Sequence, residues 1–184
     1  MKGENGGDNI LDWSEINYTN IPKPIIDEFN YSKNIFDNWN NSTTDLESRF
    51  EDDRTIKYMP LVDTSNATNM SSMFYSCTNL VNVPLLNTEN VVSSMNGMFY
   101  GCTSLVSVAQ LNTSKTTGMR SMFTGCTKLS NETLNNILAM CINAKDITTD
   151  KNLRDIGLSS YQASVCQTLN NWSAFEAAGW TTGY

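Results

Sequence analysis

Apolar and polar positions recur in a fixed rhythm along residues 55–129. Three segments, Met70–Leu80, Met95–Leu105 and Met119–Leu129, align as M-x-x-M-F-x-x-C-T-x-L, and their columns recur after 25 and then 24 residues. A second echo runs ahead of each block: Val62-Asp63-Thr64-Ser65, Leu86-Asn87-Thr88-Glu89 and Leu111-Asn112-Thr113-Ser114. Such in-register self-similarity predicts stacked coils that bury one continuous core. Each coil is expected to hold a short strand, around Ile56–Leu61, Leu80–Leu85 or Leu105–Gln110. Strand alternation then turns Ile56, Met59, Leu61, Leu80, Val83, Leu85, Leu105 and Val108 inward. It leaves Tyr58, Pro60, Asn82, Pro84, Ser107 and Ala109 outward.

The M-x-x-M-F segments are expected opposite the strands, as helical or 3₁₀ turns. Met73, Phe74, Cys77, Met98, Phe99, Cys102, Met122, Phe123 and Cys126 would form core ladders there. Asp63, Asn87 and Asn112 form a polar column whose short side chains suit Asx turns at the bends. The period of 24–25 residues, with leucines in register, is that of a leucine-rich-repeat solenoid of three turns.

The flanks read differently. Pro22 and Pro24 open a helix carrying Ile25, Phe29, Phe36 and Trp39 at helical spacing. Asn40-Asn41-Ser42-Thr43 ends it, and Thr44-Asp45-Leu46-Glu47 reads as a capping box for a second short helix through Phe50. A 4-3-4-3 rhythm through these helices also permits a coiled-coil anchor, so they either cap the solenoid or bind a partner. Beyond the repeats, Ser130 is an N-cap candidate before the stripe Leu134, Ile137, Leu138 and Cys141. Ser159–Gln162 reads as another capping box, leading into Tyr161, Val165, Leu169 and Trp172 on one face. A third short helix is expected over 172–178. The chain divides into 1–54 (N-terminal arm and helical cap), 55–129 (solenoid) and 130–184 (helical C-terminal cap), an α+β architecture.

The M-F-x-x-C-x-x-L-x-x-V core followed by an L-[ND]-T turn resembles the BspA-like leucine-rich repeats of bacterial surface proteins. That resemblance implies a non-catalytic binding or adhesion module. The C-terminal segment, from L-S-N-E-T-L-N-N-I-L to A-A-G-W-T-T-G-Y, is similar to the end-piece of such repeats in phage-encoded and prophage-like proteins of gut bacteria. This second likeness implies a virion component, a tail or head fibre protein assembled in the host cytoplasm and assisting attachment to the host surface. A bacterial cell-surface adhesin is the alternative. The implied partners are a protein or glycan on the host surface, with other virion proteins at the N-terminal region; self-association into a homo-oligomer is compatible with both.

Composition narrows the chemistry. A net charge of −7 disfavours nucleic acid and anionic membranes as partners. The absence of histidine removes the commonest general base and metal ligand, and no nucleophile constellation, P-loop or G-x-G-x-x-G is present. Asp45, Glu47, Glu51, Asp52 and Asp53 cluster, and read as a solvated helix end rather than a carboxylate pair or a calcium site. No enzyme activity, cofactor or metal is expected. Five cysteines without a C-x-x-C pair are expected to be free, buried thiols. The first residues contain no apolar signal core, and no run approaches the ~18 residues of a membrane span. This implies a fragment, or exit by another route such as a particle released by lysis. The outward strand residues Tyr58, Asn82 and Ser107 are the candidate ligand contacts, suited to a neutral polymer or a flat protein surface.

Overall fold

In the computed structural model, residues at every fourth position of the M-x-x-M-F segments take a left-handed backbone. Ser72 and Ser76 have φ of 53° and 58°, Gly97 and Gly101 of 59° and 73°, and Ser121 and Gly125 of 54° and 81°. The structure describes residues 42–60, 62–144 and 154–183. The helix predicted from Pro22 to Trp39, the inward position Leu61 and the polar stretch 145–153 lie outside these residues.

The left-handed residues prevent a helix and make a chain of tight turns instead. The amides of Met73, Tyr75 and Cys77 donate three residues back, to Met70, Ser72 and Phe74. The intervening amides of Met70, Ser72, Phe74 and Ser76 donate sideways, to the carbonyls of Ser94, Asn96, Met98 and Tyr100 in the next coil (2.7–3.1 Å). Backbone amides thus alternate between closing turns and joining coils, and with Ser71 N–H donating to Asn69 Oδ1 every amide from Met70 to Cys77 has an acceptor. The helical or 3₁₀ turns expected here are replaced by these turns. The apolar spacing i, i+3, i+4, i+7 is common to both, because a chain of i→i+3 turns also returns to its inner face every three or four residues.

The same pattern starts one coil earlier than the repeats suggest. Leu46, Ser48, Phe50 and Asp52 donate to the carbonyls of Asn69, Ser71, Met73 and Tyr75, and Ser48 and Asp52 again have φ of 52° and 58°. The helix expected over residues 44–50 is therefore a coil of the stack, and Asp45 bridges Asn69 in parallel. Coil 1 (45–68) is followed by coil 2 (69–93), coil 3 (94–117) and the half-coil 118–130. The apparent boundary at 54/55 falls inside coil 1.

Opposite the turns, β1 (Asn82–Val83) and β2 (Ser107–Val108) pair in parallel. Each is only two residues long, so strand alternation does not extend to the coil's end. Inward positions instead step by three: Ile56 and Met59; Leu80, Val83 and Leu86; Leu105, Val108 and Leu111 are buried. Leu85, expected inside, is 60% exposed, and Leu86 takes its place.

Side chains reinforce the register. Phe50, Phe74, Phe99 and Phe123 stack with centroids 5.4, 5.8 and 5.4 Å apart. The buried hydroxyls of Thr64, Thr88 and Thr113 donate to the carbonyls of Asn87, Asn112 and Met140 at 2.8, 2.7 and 2.5 Å. The neighbouring Asp63, Asn87 and Asn112 carboxyl and amide oxygens accept from the amides two residues on, forming the expected Asx turns.

Helices close the far end. Helix α1 (Asn131–Asn143) starts at its Ser130 N-cap and buries Leu134, Ile137, Leu138 and Cys141. Ser130 N–H also continues the strand-side ladder to Val106 O, while the Thr133 hydroxyl and Asn136 amide serve the amide and carbonyl of Val108. Helix α2 (Ser160–Cys166) has the complete Ser159/Gln162 capping box, and α3 (Trp172–Ala177) follows. On α2 it is Gln162 and Cys166 that are buried; Tyr161, expected on the inner face, is 74% exposed. The turn side is covered by the returning chain: Ser121 and Phe123 donate to Asp155 and Ile156, and Gln162 Nε2 donates to Cys126 O at 2.6 Å. A Cβ on Gly157 (φ 81°) would stand 2.0 Å from Thr124 Oγ1, so only glycine allows this approach.

Candidate functional site

The outward column of the strand side is set by the parallel register. Tyr58 bridges Asn82, and Asn82 pairs with Ser107, so the candidate contacts of coils 1, 2 and 3 stand side by side. Tyr58 is 37% exposed, Asn82 is exposed and Ser107 half-buried. The Lys57 ammonium lies 5.5 Å from the Tyr58 ring centroid, which brings a cation to a column that is otherwise neutral. Pro60, Pro84 and Ala109 flank it, half-buried. Helix α1 ends the column on the coil 3 side through Thr133 and Asn136.

The repeat residues lie beneath. Met73, Phe74, Cys77, Met98, Phe99, Cys102, Met122, Phe123 and Cys126 are all buried. Each thiol of the repeat column donates to a phenylalanine carbonyl of the preceding coil: Cys77 to Phe50, Cys102 to Phe74, Cys126 to Phe99, at 2.9–3.0 Å. All five cysteines are free. Burial, with the nearby Asp53 carboxylate adding to it, pushes the Cys77 thiol up to about 12. Burial raises Cys126 to about 12 and Cys166 to about 11, and drives Cys102 and Cys141 upward too. Thiols so held are packing and hydrogen-bonding groups, poor as nucleophiles.

Sequence reasoning missed the turn-side surface. Tyr75 and Tyr100, one position after the phenylalanines, stack at 4.7 Å and 3° and remain half-buried. The signal was present in the repeat column F-Y, but the helical reading of these segments put no flat face there. Among the described residues, no cluster of three or more Cys, Asp or Glu could hold a metal ion, and no helix is long and apolar enough to cross a membrane.

Residues 44–155 match the family described as "Mycoplasma protein of unknown function, DUF285". The match covers more than half of the chain, which belongs to this family. It is consistent with the BspA-like resemblance of the repeats, whereas no phage-encoded segment emerges from the comparisons. No curated protein and no solved structure matches the chain. The matched segment starts at coil 1, while the fold continues past residue 155 into the returning chain, α2 and α3.

Proposed function

We propose that the coil stack is a short leucine-rich-repeat solenoid acting as a non-enzymatic binding module at a bacterial cell surface. Its ligand, a protein or a neutral glycan on the target surface, lies along the Tyr58–Asn82–Ser107 column. The alignment of these three residues from separate coils in one parallel ladder carries the reading. An aromatic ring beside amide and hydroxyl groups at ~4.8 Å intervals can follow an extended polymer. Each copy would bind weakly, and many copies on one surface would add avidity. The cell-surface location is preferred to a virion because the matched family is described from a bacterium, Mycoplasma, and is consistent with the BspA-like repeats. The phage-like resemblance falls mainly in the segment after residue 130.

The test is binding of the multimerised chain to glycan arrays and to whole cells. Tyr58→Ala/Asn82→Ala/Ser107→Ala together should abolish binding while leaving the melting temperature near the parent's. Undiminished binding by the folded triple variant would exclude this column.

A further inference from the structure

The turn side carries an axial order of charge. Successive coils place Glu47, Ser71, Asn96 and Arg120 in one column, and the bond from Ser121 N–H to Asp155 O sets the half-buried Asp155 at the next level beside Arg120; Glu47, Asn96 and Arg120 are exposed and Ser71 is half-buried. The adjacent outward column holds Glu51, Tyr75, Tyr100 and Thr124. The left-handed Ser72, Gly97 and Ser121 lie between the two columns, giving a floor of small residues. A Cβ on Gly97 would be 3.7 Å from Tyr75 Cδ2, so the tyrosine ring rests against that floor. The Glu47 carboxylate is positioned by Asn69, whose Nδ2 donates to Glu47 Oε2 at 2.9 Å, and the Arg120 backbone is tied to the column by its amide, which donates to Asn96 Oδ1 at 2.7 Å.

This surface is complementary to itself in one orientation only. We propose that it pairs with the same surface of a second copy, with the two stacks antiparallel. A two-fold axis lying in the interface, across the stack between coils 2 and 3, sets each column against its own reverse. Glu47 then faces Arg120 of the second copy, and Ser71 faces Asn96; the symmetry supplies each pairing twice. In the second column Tyr75 faces Tyr100 of the other copy at the centre, where aromatic anchors contribute most to an interface. Glu51 faces Thr124 there, so its charge meets no like charge. A parallel pairing would set Glu47 against Glu47 and Arg120 against Arg120, and like charges reject it. Four coil levels at ~4.8 Å spacing give a face about 15 Å long, short of the ~800 Å² per partner usual for a stable complex. The dimer is therefore weak and salt-sensitive, and it forms where copies are crowded. It occupies the side of the coil away from Tyr58, Asn82 and Ser107 and does not rest on the binding role proposed above.

Charge reversal on the full chain tests it, read by analytical ultracentrifugation over a dilution series at low and high salt. The parent should move from monomer to dimer with concentration, and added salt should reverse the shift. Glu47→Arg alone and Arg120→Glu alone should each dimerise about tenfold more weakly or worse. Mixing the two single variants should restore association, because one then offers two cations and the other two anions. The double variant Glu47→Arg/Arg120→Glu should dimerise like the parent. Thermal melts establish that each variant is folded. A parent that stays monomeric throughout would overturn the proposal. So would single variants that associate like the parent, or a mixture that associates no better than its components.

Discussion

Phe99 lies between Phe74 and Phe123 in the aromatic ladder and is fully buried. Truncation there opens a cavity touching both neighbouring coils, so Phe99→Ala should cost about 3–5 kcal/mol in urea unfolding. The thiol column makes a second residue-scale prediction. Below the ordinary thiol value of 9.0, Cys77 and Cys126 hold their protons in folded and unfolded chains alike, and their state adds no pH dependence. As pH rises above it, the unfolded thiols ionise while the folded ones, held up to about 12, stay protonated. The unfolded chain then binds fewer protons, and stability falls with pH through that window. Denaturant midpoints measured from pH 8 to 11 should decline faster in the parent than in Cys77→Ser/Cys126→Ser. In the native chain at neutral pH the five thiols should resist alkylation and react after denaturation. Core identity at this scale was legible in the sequence: identical residues at a fixed period must share one environment. The hydrogen bond from each thiol to a carbonyl was not, since spacing carries no information on where a sulfur points.

At the scale of the element, left-handed turns decide the outcome. Gly101 takes φ of 73° with Ser76 packed against it, so Gly101→Ala should lose about 1–2 kcal/mol, read as a lower melting temperature. Ser76 holds the equivalent place in coil 2 at φ 58°, and Ser76→Gly should be neutral or stabilising in the same assay. The buried Thr88 hydroxyl joins coils through Asn112 O; Thr88→Val keeps the shape, loses the bond and should cost about 1 kcal/mol or more. Apolar spacing alone could not separate a helix from a chain of turns. The serine and glycine columns were the available signal, because Ser72, Gly97 and Ser121 share a position that helices fill with longer side chains. Leu85 and Leu86 show a related ambiguity: period two and period three coincide near the strand and diverge at its end. By contrast, the caps at Ser130 and Ser159 were legible because side-chain-to-amide bonds depend on local sequence alone.

For the whole molecule, the stack is longer at its start and more firmly closed at its end than the repeats advertise. Coil 1 keeps Leu46, Phe50 and Ile56 on the core but has Arg49 and Asp53 where later coils have methionine and cysteine. Those substitutions hid it from the repeat pattern. At the other end, Ile156, Leu158, Cys166, Phe175 and Trp180 are buried beyond the last repeat. A chain ending at Asp155 should accordingly lose cooperative thermal unfolding and bind a hydrophobic dye. The candidate column Tyr58–Asn82–Ser107 was legible because it needs only the parallel register; the Tyr75–Tyr100 face required the turn geometry.

The parallel register of coils beginning at residue 45 is tested most directly by through-hydrogen-bond scalar couplings between amide nitrogens and carbonyl carbons. The fold predicts couplings from Leu46, Ser48, Phe50 and Asp52 to Asn69, Ser71, Met73 and Tyr75. It predicts the next set from Met70, Ser72, Phe74 and Ser76 to Ser94, Asn96, Met98 and Tyr100. Couplings from residues 48–53 to carbonyls four residues back, with none crossing to residues 69–75, would instead establish a helix and contradict the stack.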